Sequence, residues 1–532
     1  MQGALSLRKE TKKRFKMKRV LSLFLLICFC LPLSLVSCTG KGDKISVYIG
    51  AGVASFDPIK NMSKVAQTYI SALFSGLYEY MTGEDGIPTL ALGDADGMPS
   101  VKELENGKTE LTFRLKEGLR WSNGESITPQ DYVYSWNRAA GLSLYNGTGD
   151  YFAVIDGYED FLDYEDDAEL NMSYDNKART FSVVITEDPS LFLSYVTQTV
   201  FFPISRIAER DSKNWSKNVE EFASNGAFTL KEIKNDRVVV VKNENFRDAK
   251  KVSLKEITFL FDEEEAIKQQ SKGKLAFCSG KAVGSKETAK TTAVGVQYLS
   301  FNVNDHAFAL FSEDDKQKIR AALGIYISEA YQTSGLIPCL EDRDNLPSTE
   351  YADRLLEEVA QSSGRYTYQS GFVYEFPFLK AISAGRDGEK QILDRISSVL
   401  AEKGIHLSVT NVSWEDFVRV QKSGEWSLFL NAWVYDTASP AELLYLFLAD
   451  SPYNDALVGS KEKPQFWRDR YDSVLLAADD NSGYKAAYNV LKGMGAVLPV
   501  ADLTTSYAVA DWMVGVSVMQ DGIVRFDRAY TK

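Results

Sequence analysis

The sequence, 532 residues long, predicts a mixed α/β protein, and two observations carry that reading. Strand-like alternation and helix-like apolar stripes follow one another along the whole chain, without an internal repeat or a low-complexity block. Apolar residues make up 45% of the chain and aromatic residues 12%, ample for a core and incompatible with disorder. At this length two or three domains are expected.

The elements follow in order. Residues 45–53 read as a first strand. Residues 63–78 carry Val65, Tyr69, Ala72, Leu73 and Leu77 at helical spacing, with Ser63 placed to cap the first turn. Residues 110–115 alternate as a strand. Thr128-Pro129-Gln130-Asp131 starts a helix, with Thr at the cap, Pro at the first helical position and an acid in the first turn. Residues 237–242 and 256–261 read as strands. Residues 391–403 form an amphipathic helix with Ile392, Ile396 and Leu400 on one stripe; Gly404 stops it, and a strand over 405–409 follows. Residues 426–433 read as an apolar strand.

The N-terminus reads as a secretory signal. Lys18-Arg19 precedes an almost wholly apolar stretch over 20–35, which ends in Leu35-Val36-Ser37-Cys38. A Cys directly after small residues is the pattern of a lipoprotein signal, with Cys38 the lipidated first residue of the mature chain. The apolar stretch is shorter than the roughly 20 residues of a membrane span. Met17-Lys18-Arg19 makes a more natural start than Met1. The alternative is an uncleaved anchor with Cys38 a bystander. Both place the rest of the chain outside the cytoplasmic membrane, behind a polar tether at 39–44.

Residues 38–532 carry 52 basic and 72 acidic side chains, a net charge of −20. Such a chain repels nucleic acid and anionic membrane surfaces. It holds Cys38, Cys278 and Cys339, and the exported compartment permits a Cys278–Cys339 bridge as readily as two separate buried thiols. His306 and His406 are the two histidines, and neither has a second His or a Cys at metal spacing. There is no GxSxG, no phosphate-binding Walker loop and no GxGxxG behind a strand. Neither enzymatic machinery nor a His-based metal site is expected from these residues, and no cofactor is called for.

Several segments together resemble the extracytoplasmic solute-binding proteins of peptide-type ABC importers, the oligopeptide, dipeptide and nickel-binding group. They are Ala54-Ser55-Phe56-Asp57-Pro58, Leu77-Tyr78-Glu79, the run over 111–124 ending in Trp121-Ser122-Asn123-Gly124, and Asp131 to Arg138. Ser224-Asn225-Gly226-Ala227-Phe228 resembles the oligopeptide branch in particular, and Ile319 to Leu323 and Trp433 to Pro440 complete the series in family order.

The resemblance implies a two-lobed, hinged fold of the periplasmic-binding-protein type (type II), with an extra domain inserted in the first lobe. Lobe one would comprise 39–80, 204–282 and 500–532, the extra domain 81–203 and lobe two 283–499. The ligand would be a peptide held between the lobes and passed to ABC permease subunits by a monomeric, lipid-anchored protein. Asp436 would grip the peptide's α-ammonium. The main chain of Trp433, Val434 and Tyr435 from one side, and of Val53, Ala54 and Ser55 from the other, would pair with the peptide backbone. Trp414 would line a side-chain pocket, and Asn225 and Gly226 would form a tight turn near the cleft. Where oligopeptide binders place Arg side chains for the peptide's carboxylate, this chain has Gln421 and Leu430, so a fixed carboxylate clamp is not expected. The alternatives are a surface lipoprotein of the same fold acting as peptide sensor or adhesin, and a binder of a non-peptide amine.

Overall fold

The computed structural model of the chain describes residues 42–532, except 61, 83–87, 163–168, 281–288, 332, 334, 342–346, 384–387, 438, 459–464 and 479. The signal segment and Cys38 lie outside the described residues.

Ten strands form one large mixed sheet. In chain order they are β1 (Lys44–Tyr48), β2 (Phe228–Ile233), β3 (Arg237–Lys242), β4 (Glu256–Leu260), β5 (Phe277–Ser279), β6 (Ala289–Phe301), β7 (Leu379–Ser383), β8 (Leu407–Asn411), β9 (Leu428–Val434) and β10 (Val497–Val509). Their spatial order is β8-β7-β9-β6-β10-β5-β1-β4-β3-β2. Two long strands join the halves of this sheet. β6 and β10 run antiparallel for most of their length, with register shifts at Ala293/Gly295 and Gln297/Tyr298. β10 pairs with β5 on one side and β6 pairs with β9 on the other.

The first strand stops at Tyr48 rather than at Val53, because Gly50 turns the chain at φ +121° and residues 51–57 run irregularly. The helix expected over 63–78 is α1 (Lys64–Leu73), capped by Ser63, whose Oγ accepts from Ala66 N at 3.3 Å. It ends early because its last turn is packed against chain. Gly226 N donates to Leu73 O at 2.8 Å, and a Cβ on Gly226 would lie 2.5 Å from the Leu73 carbonyl carbon. Residues Tyr78–Thr82 then leave as a strand paired with Pro88–Leu92.

A separate four-stranded antiparallel sheet lies between residues 100 and 185. Helix α2 (Pro129–Asn146) covers it, inserting Trp136 among Phe113, Phe181, Phe192 and Phe201. Its start is as the sequence predicts: Asp131 Oδ2 accepts from Thr128 N at 2.8 Å. Further along the chain lies α3 (Pro189–Tyr195).

The β6–β9 half carries α4 (Glu313–Ala330) and α5 (Glu389–Glu402), whose Ile319, Leu323, Leu393, Ile396 and Leu400 share one buried core. Gly404 follows α5 at φ +82°, where a Cβ would lie 2.2 Å from Val373 O. Helix α6 (Pro440–Tyr445) follows β9. Leu191 of α3 shares a second buried cluster with Leu443 and Leu444 of α6, so the small-sheet region touches the β6–β9 half there. Cys278 and Cys339 are two free thiols, and burial raises both above the ordinary thiol range. No helix among the described residues is long and apolar enough to cross a membrane.

Candidate functional site

The site forms where β9 gives way to α6. β9 pairs with β6 through Gly295↔Val434, Val296↔Trp433 and Gln297↔Ala432. The next residue, Tyr435, donates its N–H to Val294 O at 3.0 Å. Antiparallel pairing alternates, so the main-chain groups of Tyr435 and Trp433 face β6, and those of Val434 and Ala432 face the opposite edge. On that edge β7 pairs with β9 at Leu428 and Phe429, and from Leu430 onward no strand follows among the described residues. The N–H and C=O of Val434 therefore have no partner among the described residues, and its side chain is about half exposed.

This corrects the expectation for three consecutive main-chain contacts. Trp433 and Tyr435 use theirs within the sheet, and the Tyr435 ring is buried with its hydroxyl donating to Leu336 O at 3.0 Å. The segment expected opposite lies beyond the end of β1. Val53, Ala54 and Ser55 lie outside any strand. Ala54 is exposed and Val53 packs on the β1-side core. Ser55 is buried, with its Oγ 2.9 Å from Ser216 Oγ.

Asp436 stands two residues beyond Val434, its side chain half exposed. Its carboxylate lies 3.6 Å from the ammonium of Lys64, the first residue of α1. Tyr151, from the small-sheet region, faces it too: burial and the Asp436 carboxylate push that phenol up. Beneath sits Glu442, which the sequence reading missed. Glu442 Oε1 accepts from Trp433 Nε1 at 2.7 Å and from Asp436 N at 3.0 Å, and Oε2 accepts from Thr437 N at 2.7 Å. Burial first, and the Asp436 carboxylate second, raise the Glu442 carboxyl to about 7, against the pull of these donors. A signal for it existed, since Ser439-Pro440-Ala441-Glu442 has the spacing of a capping box. Here the acid reaches past its own cap to hold the preceding loop. Ser439 N is satisfied by Thr437 Oγ1 at 3.0 Å instead.

The Trp433 ring meets Tyr453 edge to face at 6.2 Å, and Tyr453 donates its hydroxyl to Asp150 at 3.1 Å. Trp433, Asp436, Glu442, Lys64, Tyr151 and Tyr453 thus converge where the β6–β9 half faces α1 and the small-sheet region. Trp414 begins the helix Trp414–Ser423, and its side chain lies outside the described part.

Asn225 and Gly226 take a different place from that expected. Asn225 is buried: Oδ1 accepts from Ser75 N at 3.1 Å, and Nδ2 donates to Ser75 O at 2.7 Å and Asp94 Oδ2 at 2.9 Å. Asp94 also accepts from Tyr132 at 3.0 Å and from Arg247 at 2.9 Å. Both residues hold the end of α1 against the frame. Gln421 donates to Asp455 at 2.6 Å and Leu430 is buried, so neither position offers a cation. Arg419 lies on an exposed face paired with Asp416 at 2.8 Å.

The model of the bacterial extracellular solute-binding proteins, family 5 Middle, matches residues 99–455. The periplasmic murein peptide-binding protein MppA of Escherichia coli is 21% identical over 89% of this chain and 90% of its own. The dipeptide-binding protein DppE of Bacillus subtilis is 22% identical over 82% of this chain and 81% of its own. Among solved structures, MppA in its unliganded open form superposes with a TM-score of 0.74, at 20% identity, over 93% of this chain and 99% of that one. These proteins share the two-lobed peptide-binding fold with this chain.

Proposed function

Because the chain belongs to the bacterial extracellular solute-binding proteins of family 5, we propose that it captures peptides and delivers them to an ABC importer. One observation carries this reading: the Asp436 carboxylate stands two residues beyond Val434, at the end of a strand edge whose main-chain groups have no partner among the described residues. A carboxylate there suits a peptide's α-ammonium through a charge-assisted hydrogen bond. The adjoining edge suits its backbone as an added strand, which reads main chain and tolerates many side chains. MppA, a murein peptide-binding protein, and DppE, a dipeptide-binding protein, support the same ligand class.

In this reading the lobes are 39–80 with 204–282 and 500–532, and 283–499, with 81–203 attached to the first. β6 and β10 are then the hinge strands, and the lobes close over the peptide by bending there. With Gln421 and Leu430 at the positions where a carboxylate clamp would need Arg, the grip is N-terminal and peptide length is loosely selected. The protein binds and releases without turnover. Cys38 carries the lipid that tethers it outside the cytoplasmic membrane.

Native mass spectrometry of the protein purified without denaturant tests this. Co-purified masses that fragment into amino-acid ladders are expected, over a range of lengths. A single non-peptide mass would overturn the ligand class.

A further inference from the structure

The carboxylate assigned to the ligand's ammonium already faces an ammonium of the chain's own. Lys64 Nζ lies 3.6 Å from Asp436 Oδ1, and both side chains are partly exposed. The Lys64 stem passes beside the C-terminal turn, where a Cβ on Gly522 would lie 4.0 Å from Lys64 Cγ. That turn is fixed to the same helix, since Val524 N donates to Thr68 Oγ1 at 3.1 Å. It carries a second acid, Asp521, buried, whose Oδ1 accepts from Ile523 N at 2.9 Å. Burial raises the Asp521 carboxyl and the Lys64 charge opposes that rise, so the ammonium is felt on this side as well. One flexible cation therefore stands between two carboxylates, Asp436 after β9 and Asp521 beside α1.

We propose that Lys64 is a tethered competitor for Asp436, displaced toward Asp521 when a ligand's ammonium arrives. The proposal rests on the assignment of Asp436 to the peptide α-ammonium. The arrangement of charges favours it: Lys64 is the cation paired with Asp436 and also acts on Asp521, which Arg525 reaches as well, while the buried Glu442 lies beneath Asp436. A long, flexible cationic side chain suits the task because its charge rides on a mobile stem and can change partner without moving the backbone. The exchange makes affinity depend on a full positive charge at the ligand's N-terminus, since an uncharged end cannot take Asp436 from Lys64. Lys64 is thus a specificity-determining residue rather than a peptide contact.

Titration calorimetry with tri-, tetra- and penta-alanine and their N-acetylated forms tests this on the wild type, Lys64→Met, Lys64→Arg, Asp521→Asn and the Lys64→Met/Asp521→Asn double variant. An exposed ion pair is worth about 0.2–1 kcal/mol, so Lys64→Met should tighten binding of the free-amine peptides by about 1.4- to 5-fold. Lys64→Arg should keep wild-type affinity. Asp521→Asn should weaken binding in the wild-type background and not in the Lys64→Met background, a coupling that a packing role would not produce. Lys64→Met that leaves affinity unchanged, or weakens it, would overturn the proposal. If Lys64→Met behaves as expected, Asp436→Asn must abolish the preference for the free amine. Wild-type protein that binds none of the six peptides would overturn the peptide assignment and this inference together.

Discussion

Arg138 donates two hydrogen bonds to Asp57, from Nη1 at 3.1 Å and from Nη2 at 2.6 Å, and the Asp57 carboxylate is wholly buried. The two residues stand 81 positions apart in the sequence, in two separate segments that carry the family resemblance. One follows β1 and the other lies on α2, so the pair fixes the small-sheet region to the β1 half. Such a pair is costly to break from one side, because the buried Asp57 carboxylate would keep only the Lys60 ammonium at 3.5 Å as a counter-charge. Arg138→Met should lower the unfolding free energy by about 3–5 kcal/mol. Urea unfolding measures it, and peptide affinity per folded molecule should stay at the wild-type value.

This pair shows what the sequence made legible. Strand alternation, helical stripes and capping residues located β3, β4, α5 and the start of α2 to within a few residues, because local patterning and local capping decide those features. The motifs identified the fold through residues that build it: Asp57 and Arg138 in one ion pair, Asn225 with Asp94. Motif membership does not separate frame from contact, since both are fixed by burial and partners that lie far away in sequence. Asn225 illustrates this, reading as a cleft residue and lying under α1. Glu442 illustrates the converse, a helix-cap acid in sequence and the acceptor that orders the Asp436 loop in space. Val53 lay beyond the reach of periodicity, because the turn at Gly50 ends the strand before it. Lys64 and Tyr151 were illegible as site residues, since tertiary packing alone brings them to Asp436.

Gly226→Ala separates frame from contact directly. The added Cβ would lie 2.6 Å from Phe74 N and 2.5 Å from the Leu73 carbonyl carbon, both backbone atoms that cannot rotate away. A loss of about 1–3 kcal/mol in stability is expected from such overpacking, read by chemical denaturation, with affinity retained in the folded fraction. A stable variant with weakened binding would return Gly226 to the cleft.

Glu442 predicts a pH dependence. Its carboxyl is raised from 4.5 to about 7 in the folded protein, so the fold favours the protonated form. A carboxyl raised in this way contributes stability that is fully present below the unfolded pKa and is lost as pH rises through the folded one. Between about pH 4.5 and 7 this group alone therefore lowers stability with rising pH, by about 3 kcal/mol across the window. Glu442→Gln carries no titration and should show a flatter stability profile over that range in urea unfolding at pH 5, 6, 7 and 8. Parallel profiles for the two proteins would show that Glu442 ionises as it does in the unfolded chain.

The open edge at Val434 predicts an alternating sensitivity to N-methylation of the peptide. An added strand turns every second amide toward its neighbour. Methylating an amide that faces Val434 or Ala432 should remove about 0.5–1.5 kcal/mol, while methylating the next should leave binding unchanged. Competition binding with a series of singly methylated peptides reads the pattern. Uniform tolerance would show that the ligand does not pair with β9.

The central claim is that Asp436 holds a free α-ammonium. Calorimetric titration of one peptide and its N-acetylated form against the wild type and Asp436→Asn tests it most directly. The wild type should bind the free peptide and lose about 2–5 kcal/mol of binding free energy with the acetylated one, and Asp436→Asn should bind both with the same weakened affinity. An Asp436→Asn protein that still prefers the free amine as strongly as the wild type would place the ammonium elsewhere and contradict the account.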